Sequence, residues 1–91
     1  MKLVDRGRLI TNDKQLNRAL ATWAKVVEET TWKHLADVRN TYKTADPVKG
    51  CVVFNIRNNR FRLITRISYK MAVVVVDAVL THEEYLRWSA K

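Results

Sequence analysis

Arginines at alternating strand positions, a histidine that opens a helix and a tyrosine one turn further on are the residues of this chain that could do chemistry. Most lie in the segment from Cys51 to His82, CVVFNIRNNRFRLITRISYKMAVVVVDAVLTH. Two apolar runs meet there at Asn58-Asn59, a pair suited to a two-residue hairpin loop. With that loop, Arg57 faces Arg60, Asn55 faces Arg62 and Val53 faces Ile64. Strand side chains alternate, so these residues and Arg66 share one face of the hairpin. The other face carries Val52, Phe54, Ile56, Phe61, Leu63, Thr65 and Ile67, with Phe54 opposite Leu63 and Ile56 opposite Phe61. A one-residue slip would scramble this division into a cationic and an apolar face. Four arginines on one face repel each other, which serves stability poorly and a polyanionic ligand well.

The bulk numbers agree with that ligand class. Seventeen basic and nine acidic side chains give a formal net charge of +8, and the sequence pI is about 10.1, above the range of about 9 that marks nucleic-acid binders. From Cys51 to Lys70 the charges are Arg57, Arg60, Arg62, Arg66 and Lys70 with no acid. The single cysteine, Cys51, excludes an internal disulfide and fits a reducing compartment. Two histidines and one cysteine, widely separated, form no metal-ligand spacing. Met71 to Val76 is the longest apolar run and is too short to span a bilayer, and the charged N-terminal stretch MKLVDRGRLI is no signal peptide. The 91 residues suit one domain.

The elements that must position these side chains follow from periodicity. Leu3-Val4 suits a short first strand. Asn12 to Glu29 has helical spacing, with Asn12 as cap, Gln15 completing the box, and Leu16, Leu20, Trp23, Val26 and Val27 as the core stripe. A second helix is expected over Thr31 to Arg39, burying Trp32, Leu35 and Val38. NTYKTADPVKG, punctuated by Pro47 and Gly50, is expected to be a loop, or a short helix and a loop. Strands are expected at 51–57, 60–69 and 72–80. The last is apolar on both faces, as in a central or covered strand, except for Asp77. With Lys70-Met71 as the turn, Asp77 falls opposite Ile64, beside Arg62 and Arg66, as a charge partner. THEEYLRWSAK opens a helix, with Thr81 as N-cap and Glu84 closing the T-x-x-E box. His82 then takes the first helical position, and Tyr85 and Trp88 lie near its side.

FNIRNNRFRLITRI, the apolar strand after it and THEEY together resemble the HigB-type toxins of bacterial type II toxin–antitoxin modules, which are compact RelE-like mRNA interferases. The family's V-F-N-I-x-x-N-x-[YF]-R-L hairpin is matched by Val53, Phe54, Asn55, Ile56, Asn59, Phe61, Arg62 and Leu63. Its T-H-x-E-Y element is matched by Thr81, His82, Glu84 and Tyr85, and Trp32, Lys33, Ala36, Asp37 and Val38 are similar to its W-K-x-x-A-D-[LV] segment. Leu80 stands where the family usually has glycine, and Asp77 where a basic residue is common.

The resemblance implies an α+β, RelE-like domain over residues 1–91, with N-terminal helices packed on an antiparallel sheet of three to four strands and a short C-terminal helix. It implies ribosome-dependent mRNA cleavage in the bacterial cytoplasm, without metal or cofactor. The implied partners are mRNA on the ribosome and a cognate HigA-type helix-turn-helix antitoxin, with DNA bound only through that antitoxin and no membrane. In such chemistry the RNA 2′-hydroxyl attacks its own phosphate, and arginine stabilises the charge that builds up. Arg62 and Arg66, nearest the sheet centre, are the candidates for the scissile phosphate. His82 is the candidate for proton transfer, kept neutral by the helix N-terminus, and Tyr85 would orient substrate, donate a hydrogen bond or stack on a base. Arg57, Arg60, Asn55, Asn59 and Lys70 are the candidates for gripping flanking RNA. A non-catalytic RNA- or ribosome-binding module is the competing reading. A DNA reader ranks lower, because no recognition-helix pattern carries the basic residues.

Overall fold

The structure, a computed structural model, describes residues 1–90. Its elements are β1 (Lys2–Val4), a 3₁₀ turn (Arg6–Leu9), α1 (Lys14–Glu29), α2 (Leu35–Thr41), β2 (Asp46–Val48), β3 (Cys51–Ile56), β4 (Phe61–Ser68), β5 (Val73–Thr81) and α3 (His82–Ala90). The strands form one sheet in the order β1-β5-β4-β3-β2. β1 runs parallel to β5 and the other pairs are antiparallel. The class is α+β, as expected, but the sheet has five strands and is mixed.

β1 stands where Leu3-Val4 suggested a strand; the unexpected strand, β2, lies in the segment expected to be a loop and has a simple cause. Asp46–Val48 pairs with β3 through a Lys49-Gly50 turn, both residues of which have positive φ, 54° and 78°, as a type I′ hairpin requires. Pro47 is tolerated because β2 is an edge strand. β5 lies between β1 and β4, which accounts for its two apolar faces.

The central hairpin has the register that alternation predicts: Val53 pairs with Ile64, Phe54 with Leu63, Asn55 with Arg62 and Ile56 with Phe61. Arg60 N–H donates to the Arg57 carbonyl at 3.2 Å across Asn58 and Asn59, whose φ values are 55° and 73°. This is the I′ geometry that asparagine tolerates. Arg57 itself also has φ 54°, and strand alternation ends before it.

α1 lies on the apolar face. Its cap is Asp13, not Asn12: the Asp13 carboxylate accepts from Gln15 N at 2.9 Å and Leu16 N at 3.0 Å. Leu16, Leu20, Trp23, Ala24 and Val27 are buried, and Val26 is half-buried. Phe54 is the hub of this layer, with ring centroids of Trp23 at 5.3 Å, Tyr42 at 5.5 Å and Trp32 at 6.0 Å. α2 starts at Leu35, four residues later than expected, yet Trp32 is still buried in the core. Among the described residues no helix is long and apolar enough to cross a membrane.

Candidate nucleic-acid interface

The face of the sheet opposite α1 has a buried apolar floor of Val53 and Ile64. β5 runs directly into α3 at Thr81-His82 without a loop. The capping box is complete, with Thr81 N donating to Glu84 Oε1 at 2.9 Å and Glu84 N donating to Thr81 Oγ1 at 3.1 Å. Those bonds hold the Glu84 carboxyl below its ordinary range. His82 N–H donates to the Arg60 carbonyl at 3.1 Å, which ties the start of α3 to the hairpin tip.

α3 buries none of its residues fully. It is held over the sheet by a row of stacked groups. The Lys49 ammonium lies 5.3 Å from the centre of the Trp88 ring and donates to the Trp88 carbonyl at 2.8 Å. Trp88 stacks on Tyr85 at 5.8 Å and 26°, and the Arg62 guanidinium lies 5.4 Å from the Tyr85 ring centre. Cations over aromatic faces are mildly attractive even when exposed. The Tyr85 ring is thus engaged by Arg62 and Trp88, which leaves its phenol oxygen as the part that can meet a ligand.

Arg62 is the centre of the site. Its Nη1 donates to the Asn59 carbonyl at 2.7 Å, and its Nη2 lies 3.3 Å from His82 Nδ1. A guanidinium has no acceptor, so this contact assigns the lone pair to Nδ1 and the ring proton to Nε2. Among the described residues no carboxylate pairs with Arg62, and its charge is open to an anion.

Arg66 is different. Its Nε donates to both Asp77 oxygens at 3.0 Å, and its Nη2 lies 3.0 Å from Oδ1. A β-bulge produces this pair. Ile64 pairs with Ala78 and Thr65 with Val76, leaving Asp77 as the extra residue. Asp77 is therefore not opposite Ile64, and it partners Arg66 rather than Arg62. It pushes Arg66 above the ordinary guanidinium value. Burial, with Asp77 adding to it, pushes the neighbouring Cys51 thiol up, which disfavours the thiolate that a nucleophile requires.

The structure brings Asn55, Arg62, His82 and Tyr85 together. It does not bring Arg66 to them: four residues along β4 correspond to about 13 Å. Lys70 lies further still, in the β4–β5 turn, about 26 Å of strand from Arg62. Arg60 and Asn59 are exposed at the hairpin tip. Arg57 is off the cationic face altogether. Its left-handed backbone turns the side chain toward α1, where Nη2 donates to Gln15 Oε1 at 2.6 Å and Nη1 lies 3.5 Å from Asp13 Oδ2. Arg57 is an anchor between the hairpin and the cap of α1.

Between α3 and the α2–β2 connection opens a groove of about 310 Å³, lined by Arg39, Lys43, Thr44, Asp46, Asn55, Arg62 and Tyr85, with Ala45 and Val53 beneath. Arg39 and Lys43 were absent from the sequence-based candidates. Arg39 lies in α2, but α2 ends at Thr41 and Lys43 lies in the turn after it, so no periodic spacing in the sequence joins the two. Lys49 and Trp88 were missed as a pair because they are far apart in sequence. Among the described residues no group of three or more His, Cys, Asp or Glu side chains gathers to hold a metal.

A family model described as HigB_toxin, RelE-like toxic component of a toxin-antitoxin system, matches residues 16–88. No curated protein matches the chain.

Proposed function

Because the chain belongs to the HigB toxin family, the RelE-like toxic component of a toxin–antitoxin system, we propose that it is an endoribonuclease that cuts mRNA during translation without a metal. A cognate antitoxin of the helix-turn-helix HigA type neutralises it and supplies any contact with DNA. The observation that carries this reading is the contact between Arg62 and His82 Nδ1, at 3.3 Å, beside Tyr85.

That contact couples two tasks. When a phosphate enters, the Arg62 guanidinium moves to its non-bridging oxygens, which it fits with two parallel hydrogen bonds. The move uncovers the Nδ1 lone pair of His82. The 2′-hydroxyl gives its proton to that nitrogen as its oxygen bonds to phosphorus. The bond from phosphorus to the 5′-oxygen breaks, and that oxygen takes a proton from the imidazolium or from the Tyr85 phenol. The products are a 2′,3′-cyclic phosphate and a 5′-hydroxyl. Proton transfer of this kind contributes about a hundred- to ten-thousandfold to rate.

The test is induced expression in bacteria with primer-extension mapping of mRNA 5′ ends, for the wild type and His82→Ala. The expected result is growth arrest with cuts inside messages that vanish in the variant. Arrest without cuts, or no arrest from folded protein, would leave a basic binding module in place of a nuclease.

A further inference from the structure

We infer that Arg39 and Lys43 form a second phosphate subsite, on the wall of the groove that faces Asn55, Arg62 and Tyr85, and that it holds the RNA backbone next to the scissile phosphate. This rests on the reading of the site as an RNA groove and extends it to residues outside the hairpin.

Three observations carry it. The first is charge. The lining has three cations, Arg39, Lys43 and Arg62, against one acid, Asp46, so the groove is net positive and suited to more than one phosphodiester. The second is preorganisation. Arg39 Nε donates to the Ala45 carbonyl at 3.0 Å, and its Nη2 lies 4.0 Å from Asp46 Oδ1. The guanidinium is therefore aimed before a ligand arrives, while its distance from Asp46 leaves that ion pair loose. Lys43 forms no ion pair among the described residues and is exposed at the rim. The third is the floor. The Asn55 amide is half-buried beneath the cations. It is a neutral group that donates and accepts, as a nucleotide between two phosphates would use. An acidic protein segment would satisfy the cations, but it would have less use for this mixed amide and phenol lining.

Each cation that touches a phosphate of a single strand contributes about 0.7 to the slope of log K against log salt. The probe is a fluorescein-labelled, fully 2′-O-methylated RNA oligonucleotide, which cannot be cut because its 2′-oxygens carry no proton. Its anisotropy is followed from about 50 to 200 mM salt, the range over which phosphate contacts weaken binding strongly. Lys43→Gln should flatten the slope by about 0.7, and Arg39→Gln with Lys43→Gln by about 1.4. Lys25→Gln, at an exposed position of α1, should leave it unchanged. The Lys43→Gln single variant touches no hydrogen bond of the fold, so it keeps the test valid if loss of Arg39 perturbs the α2–β2 connection. An unchanged slope in Lys43→Gln, an equal flattening in Lys25→Gln, or no measurable RNA binding would overturn the subsite. So would an acidic peptide that binds the groove while RNA does not. Because the probe is uncleavable, failure of the nuclease reading appears only in the message-cutting assay, and failure of the subsite only here.

Discussion

Arg62 and Arg66 sit on the same strand and the same face, two periods of alternation apart, and have opposite fates. Arg62 has no carboxylate and shares its guanidinium between a carbonyl, an imidazole and a phenol ring. Arg66 is clamped by both oxygens of Asp77. The difference comes from one extra residue in β5. The bulge between Ile64 and Thr65 presents Asp77 to Arg66 and leaves Leu80 opposite Arg62. Residue type and face therefore do not decide which arginine serves a ligand; the local ladder does. The hairpin end of the face is equipped to bind an anion, and the opposite end already contains one.

The comparison is broken most directly by removing each arginine in turn. Arg62→Ala should lower message cleavage by about a hundred- to a thousandfold, the usual cost of losing one donor to a developing oxyanion. Arg66→Ala should lower it less than about tenfold, since its charge is already neutralised and only its share of the ribosome or RNA field is lost. Cleavage is read by primer extension at matched protein levels, with folding checked by circular dichroism. Equal losses in the two variants would mean that Asp77 releases Arg66 to substrate.

A smaller effect is expected from Lys49, because only the Arg62 end depends on α3. Lys49→Met removes a cation from the Trp88 ring and a donor from the Trp88 carbonyl near the helix C-terminus. Such contacts total about 1 kcal/mol, so cleavage should fall by up to about fivefold. Lys49→Arg, which keeps both, should restore it. Amide exchange in α3 should quicken in the methionine variant, while β4 and β5 near Arg66 stay unchanged.

Asp77→Asn sharpens the comparison from the other side by giving Arg66 back its charge. The salt slope of RNA binding should steepen by about 0.7, one phosphate contact on a single strand, with the cleavage rate changed only modestly. An unchanged slope would show that Arg66 lies outside the path of the RNA.

These contrasts also mark what the sequence could and could not disclose. The hairpin register was legible because period-two alternation and an Asn-Asn turn agree, and any slip would bury arginine. The start of α3 was legible because Thr81 and Glu84 are neighbours in sequence as well as in space. The bulge at Asp77 was not, since nothing local separates a regular ladder from one with an extra residue. Nor was the fate of Arg57, whose left-handed φ cancels the alternation on which its placement depended. β2 was not legible either: it is three residues long and pairs along one edge only, which leaves little periodicity, whereas β1 was expected at Leu3-Val4. Arg39 and Lys43 reach the groove only because β2 joins the sheet and brings the chain before it alongside β3.

The mildest test separates the two ends of the face by pH. Glu84 has its carboxyl held below the ordinary value of 4.5 by the Thr81 backbone and side-chain bonds. A depressed folded value means that the carboxylate adds stability that is fully present above the unfolded value and is lost as pH falls through the folded one. Below about pH 4.5 the first turn of α3 should therefore loosen. With it should go the hold on His82 and Tyr85, seen as faster amide exchange in residues 82–90. Glu84→Gln keeps a side chain able to complete the box but has no proton to gain in this range, so its α3 should exchange at a rate independent of acid-induced opening. The ladder pairing Arg66 with Val75 is main-chain and should not respond to the Glu84 substitution. If Glu84→Gln leaves the acid loosening of α3 intact, the capping box is not what fixes the helix over Arg62. The Lys49–Trp88 contact, the Arg62–Tyr85 contact and the His82 N–H bond to the Arg60 carbonyl would then carry that role.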